Sequence, residues 1–379
     1  MTSSILVTGG AGFIGSNLSN KLIAVGHKVR VLDKLEPQIH GIDPYKSELF
    51  LSLNPNIEFI QGDVRDRQLL GSALEGIDIV FHFVSETGTG QSMYELVRYT
   101  DTNVCGTSCL LELMSEKKST VSKLILSSSR AVYGEGKYEC ALHGVVYPNK
   151  RSVNQLKSFD FEMKCPHCFD SVRSIPTDEN SQTSPTSIYG VTKLAQEMMV
   201  SNICGNLGIS FTNLRFQNVY GPGQSLRNPY TGLLSVFSSR IMNNAPIHIF
   251  EDGLESRDFV YIDDIIQACL AVLLPEHHTD GKTYNIGTGL RTSIIDLSAN
   301  LVKAFGKDID RLITGEFRLG DIRHNSANIE LAQSDLSFLP KTCLSDGLAK
   351  YVEWVKGNPL SNFGTSLERS MQELKEKGF

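Results

Sequence analysis

Ser4-Ile5-Leu6-Val7-Thr8-Gly9-Gly10-Ala11-Gly12-Phe13-Ile14-Gly15 is the stretch whose reading decides the fold. An apolar run enters a turn with glycine at every third position, Gly9-x-x-Gly12-x-x-Gly15. The turn opens a helical pattern from Ile14 to Val25. Glycines permit a tight turn and close backbone approach to a pyrophosphate, and a helix N-terminus offers free N–H groups and positive potential. Three glycines alone say little, because turns are glycine-rich. Their context says more. The next apolar run, Val29 to Leu32, ends in Asp33. A carboxylate at that place accepts hydrogen bonds from an adenosine ribose diol and repels a 2′-phosphate. The expectation is a site for NAD rather than NADP, with Gly9, Gly12, Phe13, Ile14, Gly15 and Asp33 around it.

Further apolar runs at Ile57 to Ile60, Ile77 to Phe83, Lys123 to Ser127 and Ile209 to Phe216 read as strands. Helical patterns fall between them, notably Met93 to Ser115 and Thr186 to Gly205. Strand–helix alternation with nearly continuous apolar strands predicts an α/β fold, a Rossmann-type doubly wound parallel sheet covered on both faces. Asp63-Val64 follows the third strand, where adenine contacts usually lie. Beyond Asn218 glycine, proline and asparagine become frequent, which predicts a smaller C-terminal α+β substrate lobe. The expected division is residues 1–217 for the NAD-binding domain and 218–379 mostly for the lobe, with about 258–274 returning to the larger domain. The charged tail from Ser366 to Lys377 reads as a solvated or loosely docked helix.

The 379 residues are 41% hydrophobic and 21% charged, which excludes a disordered or collagen-like chain. A net charge of −6 argues against coating nucleic acid. No run approaches the roughly 20 apolar residues that a membrane span needs. The start, Met-Thr-Ser-Ser, enters a strand without a basic and apolar leader, so the expectation is cytoplasmic. The eight cysteines are then expected to be reduced, buried or metal-bound, with Cys105, Cys109, Cys204, Cys269 and Cys343 in the core.

Tyr189-Gly190-Val191-Thr192-Lys193 places a phenol and an ammonium one helical turn apart on one face. A free phenol has a pKa near 10, too high for a base at neutral pH, and a nearby cation lowers it. Tyr189 is therefore expected to act as a phenolate base toward a sugar hydroxyl, with Lys193 beside it. Ser127-Ser128-Ser129 closes the fifth strand, at the sheet edge where ligands sit, and Ser129 is placed to relay the proton.

Taken together these residues, with Val132-Tyr133-Gly134, resemble the extended short-chain dehydrogenase/reductase family, and within it the nucleotide-sugar epimerases and dehydratases. Arg215-Phe216-Gln217-Asn218-Val219-Tyr220-Gly221-Pro222, Arg257-Asp258-Phe259-Val260-Tyr261 and Tyr284-Asn285-Ile286-Gly287 extend the resemblance over nearly the whole chain. It implies a nucleotide-diphosphate sugar as substrate and homodimers formed through a four-helix bundle. It adds Lys34, Asp63, Val64, Phe83, Asn103 and Phe216 to the cofactor contacts. It makes Asn218, Arg257 and Arg323 diphosphate contacts, and Arg130 a substrate contact. The 4,6-dehydratases of the family carry Thr-Asp-Glu where this chain has Ser129-Arg130-Ala131, so the acid–base pair that eliminates water is missing here. What remains implies oxidation and re-reduction at one carbon, a 4-epimerase cycle. A narrower likeness, through Ser85 to Glu95, Ser129 to Gly136 and Asn228-Pro229-Tyr230-Thr231-Gly232, is to dTDP-L-rhamnose 4-epimerases. It places Thr87 near the sugar. Other readings stay open: a UDP-hexose epimerase, a keto-sugar reductase, a 4,6-dehydratase with relocated acids, or a non-catalytic NAD sensor.

Between Tyr133 and Tyr189 lie 55 residues, long for a connection in a compact domain. Inside this stretch, at about 137–176, sit Cys140-x-x-His143 and Cys165-x-x-Cys168. Two chelating turns separated by a loop have the spacing of a closed, structural zinc site. The narrower likeness includes a similar cysteine-rich insert.

Overall fold

Seven apolar strands lie side by side, all parallel: β1 (Ser4–Thr8), β2 (Lys28–Asp33), β3 (Glu58–Gln61), β4 (Ile79–His82), β5 (Lys123–Ser129), β6 (Ser210–Phe216) and β7 (Lys282–Ile286). Their order is β7-β6-β5-β4-β1-β2-β3. The computed structural model describes residues 2–226, 228, 232–358 and 376. Side chains alternate across each strand, and both faces are covered. Ile5 and Val7 pack with Val31, Phe81, Ile125 and Leu214 on one face, while Leu6 packs with Leu32, Val80, Leu124 and Leu126 on the other. That is why the strands read as unbroken apolar runs. The winding direction reverses between β1 and β4, which opens a crevice at the carboxyl ends of the strands.

Helix α1 (Phe13–Ala24) follows β1 directly, and α2 (Gly106–Met114) leads into β5. Helix α3 (Ile188–Leu207) starts where the Ser187 hydroxyl accepts from the Gly190 N–H at 3.2 Å, and it stops at Gly208 with φ of 67°. Helix α4 (Ile262–Ala271) packs back against α1. The helix predicted from Met93 to Ser115 is broken. One turn (Leu96–Tyr99) runs into a widened π-type segment (Thr100–Cys105) before α2 begins. There the Asn103 side chain accepts from the Glu86 N–H at 2.8 Å and donates to the Glu86 carbonyl at 3.1 Å and to the Thr192 hydroxyl at 2.9 Å. Widened turns of this kind often mark places where a side chain is re-aimed.

Strand β7 went unplaced at the sequence level: its outer residues are polar and it follows a long irregular stretch. It nonetheless hydrogen-bonds to β6 along its length. The inserted stretch forms a three-stranded antiparallel ribbon from Tyr138–Cys140, Gly144–Val146 and Arg173–Ser174, with a short helix at Val153–Lys157. Cys204 and Cys269 are buried as expected, but Cys105 and Cys343 are exposed and Cys109 is half-buried. Apolar neighbours in sequence misled here, because the two exposed thiols face outward from helix ends. Apart from Glu376, the predicted tail helix lies outside the described residues.

Beneath the crevice His82 is wholly buried, its ring nitrogens 2.9 Å from the hydroxyls of Thr8 and Thr107. Burial, helped by the Lys193 charge, pushes its pKa down to about 3. The unfolded chain protonates this ring near pH 6.5, so the stability it confers is full above that pH and drains as pH falls toward 3. From pH 7 to pH 5 the wild type should lose about 2 kcal/mol through this ring. His82→Gln should remove that part of the pH slope in urea unfolding, and an unchanged slope would contradict the assignment.

Candidate active site

The crevice is a cavity of about 570 Å³, walled by the glycine turn, the ends of β2, β4, β5 and β6, the start of α3 and the C-terminal segments. Gly9 has φ of 70°, and a Cβ on it would stand 2.7 Å from the Val84 nitrogen. A Cβ on Gly15 would stand 2.2 Å from the Gly9 carbonyl oxygen. Only glycine fits at either position. Gly12 caps α1 without a side chain, so the first N–H groups of the helix are left for a ligand. At the end of β2, Asp33 accepts from the Ala11 N–H at 3.0 Å and the Leu35 N–H at 2.8 Å. Burial pushes its carboxyl up, while those N–H groups pull it back. An uncapped helix end, a glycine cradle and a carboxylate on one wall suit a dinucleotide pyrophosphate and its ribose diol.

Ser129, Tyr189 and Lys193 meet on the floor. Ser129 faces Tyr189 closely enough to lower its pKa, and the Ser129 oxygen accepts from the Ala131 N–H at 3.2 Å. The Lys193 ammonium sits 6.0 Å from the Tyr189 ring centre and donates to the Ser127 carbonyl at 2.8 Å. One turn further along α3, Glu197 pairs with Arg215 at 2.7 and 2.9 Å and accepts from Ser128. Arg215 also donates to the Tyr133 hydroxyl at 2.8 Å, and Tyr133 donates to Asn285 at 2.8 Å. This buried lattice ties β5, β6, β7 and α3 together under the reacting groups.

The electrostatics differ from the sequence expectation. Burial raises the Tyr189 pKa above the usual phenol value, and the Ser129 hydrogen bond and the Arg130 charge only partly offset it. Burial also brings Lys193 down to about 7, with Glu197 opposing. Lys193 alone therefore does not hold Tyr189 as a phenolate. Desolvation weighs more than their mutual attraction.

Phe13, Ile14, Lys34, Phe83, Thr87, Arg130, Phe216, Asn218 and Arg257 all line the cavity. Lys34 is engaged by Glu36 at 2.8 Å and Glu86 at 2.6 Å. The Asn218 side-chain oxygen is buried without a partner, which suits a ligand contact. Asp63, Val64 and Asn103 lie outside the cavity wall. Asp63 is held by Arg65 at 2.7 and 2.9 Å, Val64 is in the core against Leu70, and Asn103 pins Glu86 as described above. Arg323 needs a correction. It is wholly buried and its guanidinium is taken by Glu162 (2.6 Å), Glu251 (3.0 Å) and Asp252 (2.7 Å), so it is not free for a diphosphate. Asp321, two residues before it, lines the cavity. Sequence reasoning missed Arg240, His248, Phe250, Glu255 and Arg318 on the far wall, where the Arg318 guanidinium stacks 4.7 Å from the Phe250 ring centre. They belong to the C-terminal half, where they come from a helix (Leu233–Met242), a strand (Ile247–Ile249) and loops, and no motif flagged them.

The four residues predicted to bind zinc also converge. Cys140, His143, Cys165 and Cys168 bring their ligand atoms within 4.8 Å of one another.

The sequence profile described as the NAD dependent epimerase/dehydratase family matches residues 5–151 and 165–287. The chain is 36% identical over 356 residues to the dTDP-L-rhamnose 4-epimerase of Burkholderia thailandensis, covering 93% of this chain and 94% of that one. It resembles the crystal structure of UDP-glucose 4-epimerase with UDP-glucose from Thermotoga maritima, with a TM-score of 0.76, 30% identity, and coverage of 93% of this chain and 99% of that one. It is similar also to UDP-glucuronic acid 4-epimerase from Bacillus cereus in complex with UDP-glucuronic acid and NAD, with a TM-score of 0.77, 28% identity and the same coverage.

Proposed function

The chain belongs to the NAD dependent epimerase/dehydratase family, and from that premise we propose that it is an NAD-dependent nucleotide-sugar 4-epimerase, an isomerase acting in the cytoplasm on dTDP-L-rhamnose and dTDP-6-deoxy-L-talose. The observation that carries the reading is the meeting of Ser129, Tyr189 and Lys193 on one cavity floor, with Lys193 held by the Ser127 carbonyl. Arg130 and Ala131 stand where the dehydratases place their acids, which favours inversion over elimination. The likeness to the Burkholderia thailandensis enzyme supports the sugar.

The glycine turn, the α1 N-terminus, Asp33 and Lys193 are the residues that would hold NAD. Bound NAD would supply a hydride acceptor, later a donor, and a positive charge that favours the Tyr189 phenolate. The protein's own part is acid–base and positional. Ser129 receives the proton of the sugar C4 hydroxyl and relays it to the neighbouring Tyr189. The proton returns by the same route after the keto-sugar has turned over. Asn218 and Arg257 anchor the diphosphate meanwhile, and Phe250 under Arg318 makes a shelf for the base. Residues 1–217 serve NAD and 218–379 mostly the nucleotide sugar.

Zinc held by Cys140, His143, Cys165 and Cys168 completes this reading as a structural ion, since four protein ligands leave no open position. The protein pairs as a homodimer. Leu96, Val97, Val191, Met198 and Leu207 are exposed on the Leu96–Tyr99 turn and on α3, the elements that a four-helix bundle would join.

A second reading has one specific support. Arg130 lines the cavity beside Ser129, and a carboxylate on the sugar suits a cation there, as with the UDP-glucuronic acid bound to the Bacillus cereus protein. A panel of nucleotide sugars followed by NMR separates the two. Inversion at C4 of dTDP-L-rhamnose with no net change in NADH absorbance is expected. Inversion of a hexuronate alone favours the second reading, and stoichiometric NADH consumption indicates a reductase. Tyr189→Phe should cut turnover about 10²–10⁴-fold while leaving dTDP affinity within about threefold. Unchanged turnover contradicts the role given to Tyr189. Val97→Asp with Met198→Asp should sediment as a monomer where the wild type sediments as a dimer, and a wild-type monomer refutes the pairing.

A further inference from the structure

The inserted ribbon has little core of its own: Tyr138, Cys140, Val146, Met163 and Cys165 form its one small buried cluster, and two of them are metal-ligand candidates. Its four ligand atoms have nearly the right spacing already. Cys140 Sγ lies 3.5 Å from His143 Nδ1 and 3.7 Å from Cys168 Sγ, and Cys165 Sγ lies 3.5 Å from the same His143 nitrogen. A tetrahedral zinc with Zn–S of about 2.3 Å and Zn–N of about 2.0 Å has S–S edges of about 3.8 Å and S–N edges of about 3.5 Å.

The side chains flanking this cluster reach away from it, toward the substrate wall. Glu162, three residues before Cys165, takes the Nε and Nη2 atoms of Arg323 at 3.0 and 2.6 Å. Arg151 donates to the Phe161 carbonyl at 3.1 Å, to Glu251 at 2.8 Å and to the Asp321 carbonyl at 3.0 Å. Residues 321–323 are thus gripped from the insert by one arginine–carboxylate contact, Arg323 to Glu162, and one arginine–carbonyl contact, Arg151 to Asp321. They are also the perch of Arg257, whose guanidinium donates to the Ile322 carbonyl at 2.8 Å and the Arg323 carbonyl at 3.2 Å. Arg257, Asp321 and Ile322 line the cavity.

We propose that the metal-clipped insert is a brace for the diphosphate end of the cavity: the Cys140–His143–Cys165–Cys168 ion fixes Arg151 and Glu162, which hold residues 321–323 and through them aim Arg257. The proposal rests on the zinc site and on the cavity binding a nucleoside diphosphate. Arg151 and Glu162 are positioning residues, for they touch the wall and not the ligand. The glycine turn and Asp33 make none of these contacts, so the brace governs nucleotide-sugar affinity and leaves NAD affinity alone.

The test uses the full-length protein, elemental analysis, and calorimetric titration with dTDP and, separately, with NAD. The wild type should carry about one zinc per chain. Cys165→Ser with Cys168→Ser should lose the metal and weaken dTDP binding about tenfold or more, with NAD binding changed less than about threefold. Glu162→Gln keeps all four ligands, so it tests the brace even where the cysteine variant fails to fold. It should retain zinc, lose about fivefold in dTDP affinity, and show a raised KM with kcat nearly unchanged. Wild-type protein with less than about a tenth of a zinc per chain overturns the proposal. Zinc-loaded Glu162→Gln that binds dTDP like the wild type overturns the brace while sparing the ion. A zinc-loaded wild type that binds neither dTDP nor UDP overturns the nucleotide-sugar reading, and the brace with it.

Discussion

The burial of Ser129, Tyr189 and Lys193 together at the carboxyl ends of the sheet is the constraint that the remainder of the site serves. Burial is the dominant force on both ionisable groups there, raising the phenol and bringing Lys193 down to about 7. A pair poised this way responds strongly to any charge added beside it, because a low-dielectric site screens charge poorly. A positive charge placed beside such a phenol lowers its pKa.

The floor holds its shape because Lys193 and the serines at the end of β5 are tied from below. Ser127 offers its carbonyl to Lys193, Ser128 its hydroxyl to Glu197, and Glu197 spans to Arg215 on the neighbouring strand. One partner removed from such a buried pair leaves an uncompensated charge, which costs far more than the pair's net worth. The serine run at the end of β5 therefore divides its labour. Two serines hold the helix, and the third faces the cavity.

The first half of the chain was legible because its signals are periodic. Strands buried on both faces appear as apolar runs, and the glycine turn, Asp33, Ser129, Tyr189 and Lys193 sit at fixed offsets from those runs. The second half was less so. Strand β7 is short and partly polar, and the wall residues Arg240, on the helix Leu233–Met242, and Phe250 and Arg318, from irregular segments, meet only through tertiary packing. Arg323 shows the limit of motif transfer: its position matched a phosphate-binding pattern, yet the carboxylates that claim it lie up to 161 residues away in sequence. No local window contains that information. The break of the long predicted helix at Thr100–Cys105 has the same cause, since Asn103 is pinned by partners on other segments.

The central claim is that one carbon is oxidised and then re-reduced within a single closed cavity, with Tyr189 and Ser129 handling only the hydroxyl proton. Substrate carrying deuterium on C4 tests this most directly. The account predicts that the inverted product keeps its deuterium at C4 and that none appears in water. Loss of the label to solvent would mean that C4–H is removed as a proton, and the account would be wrong.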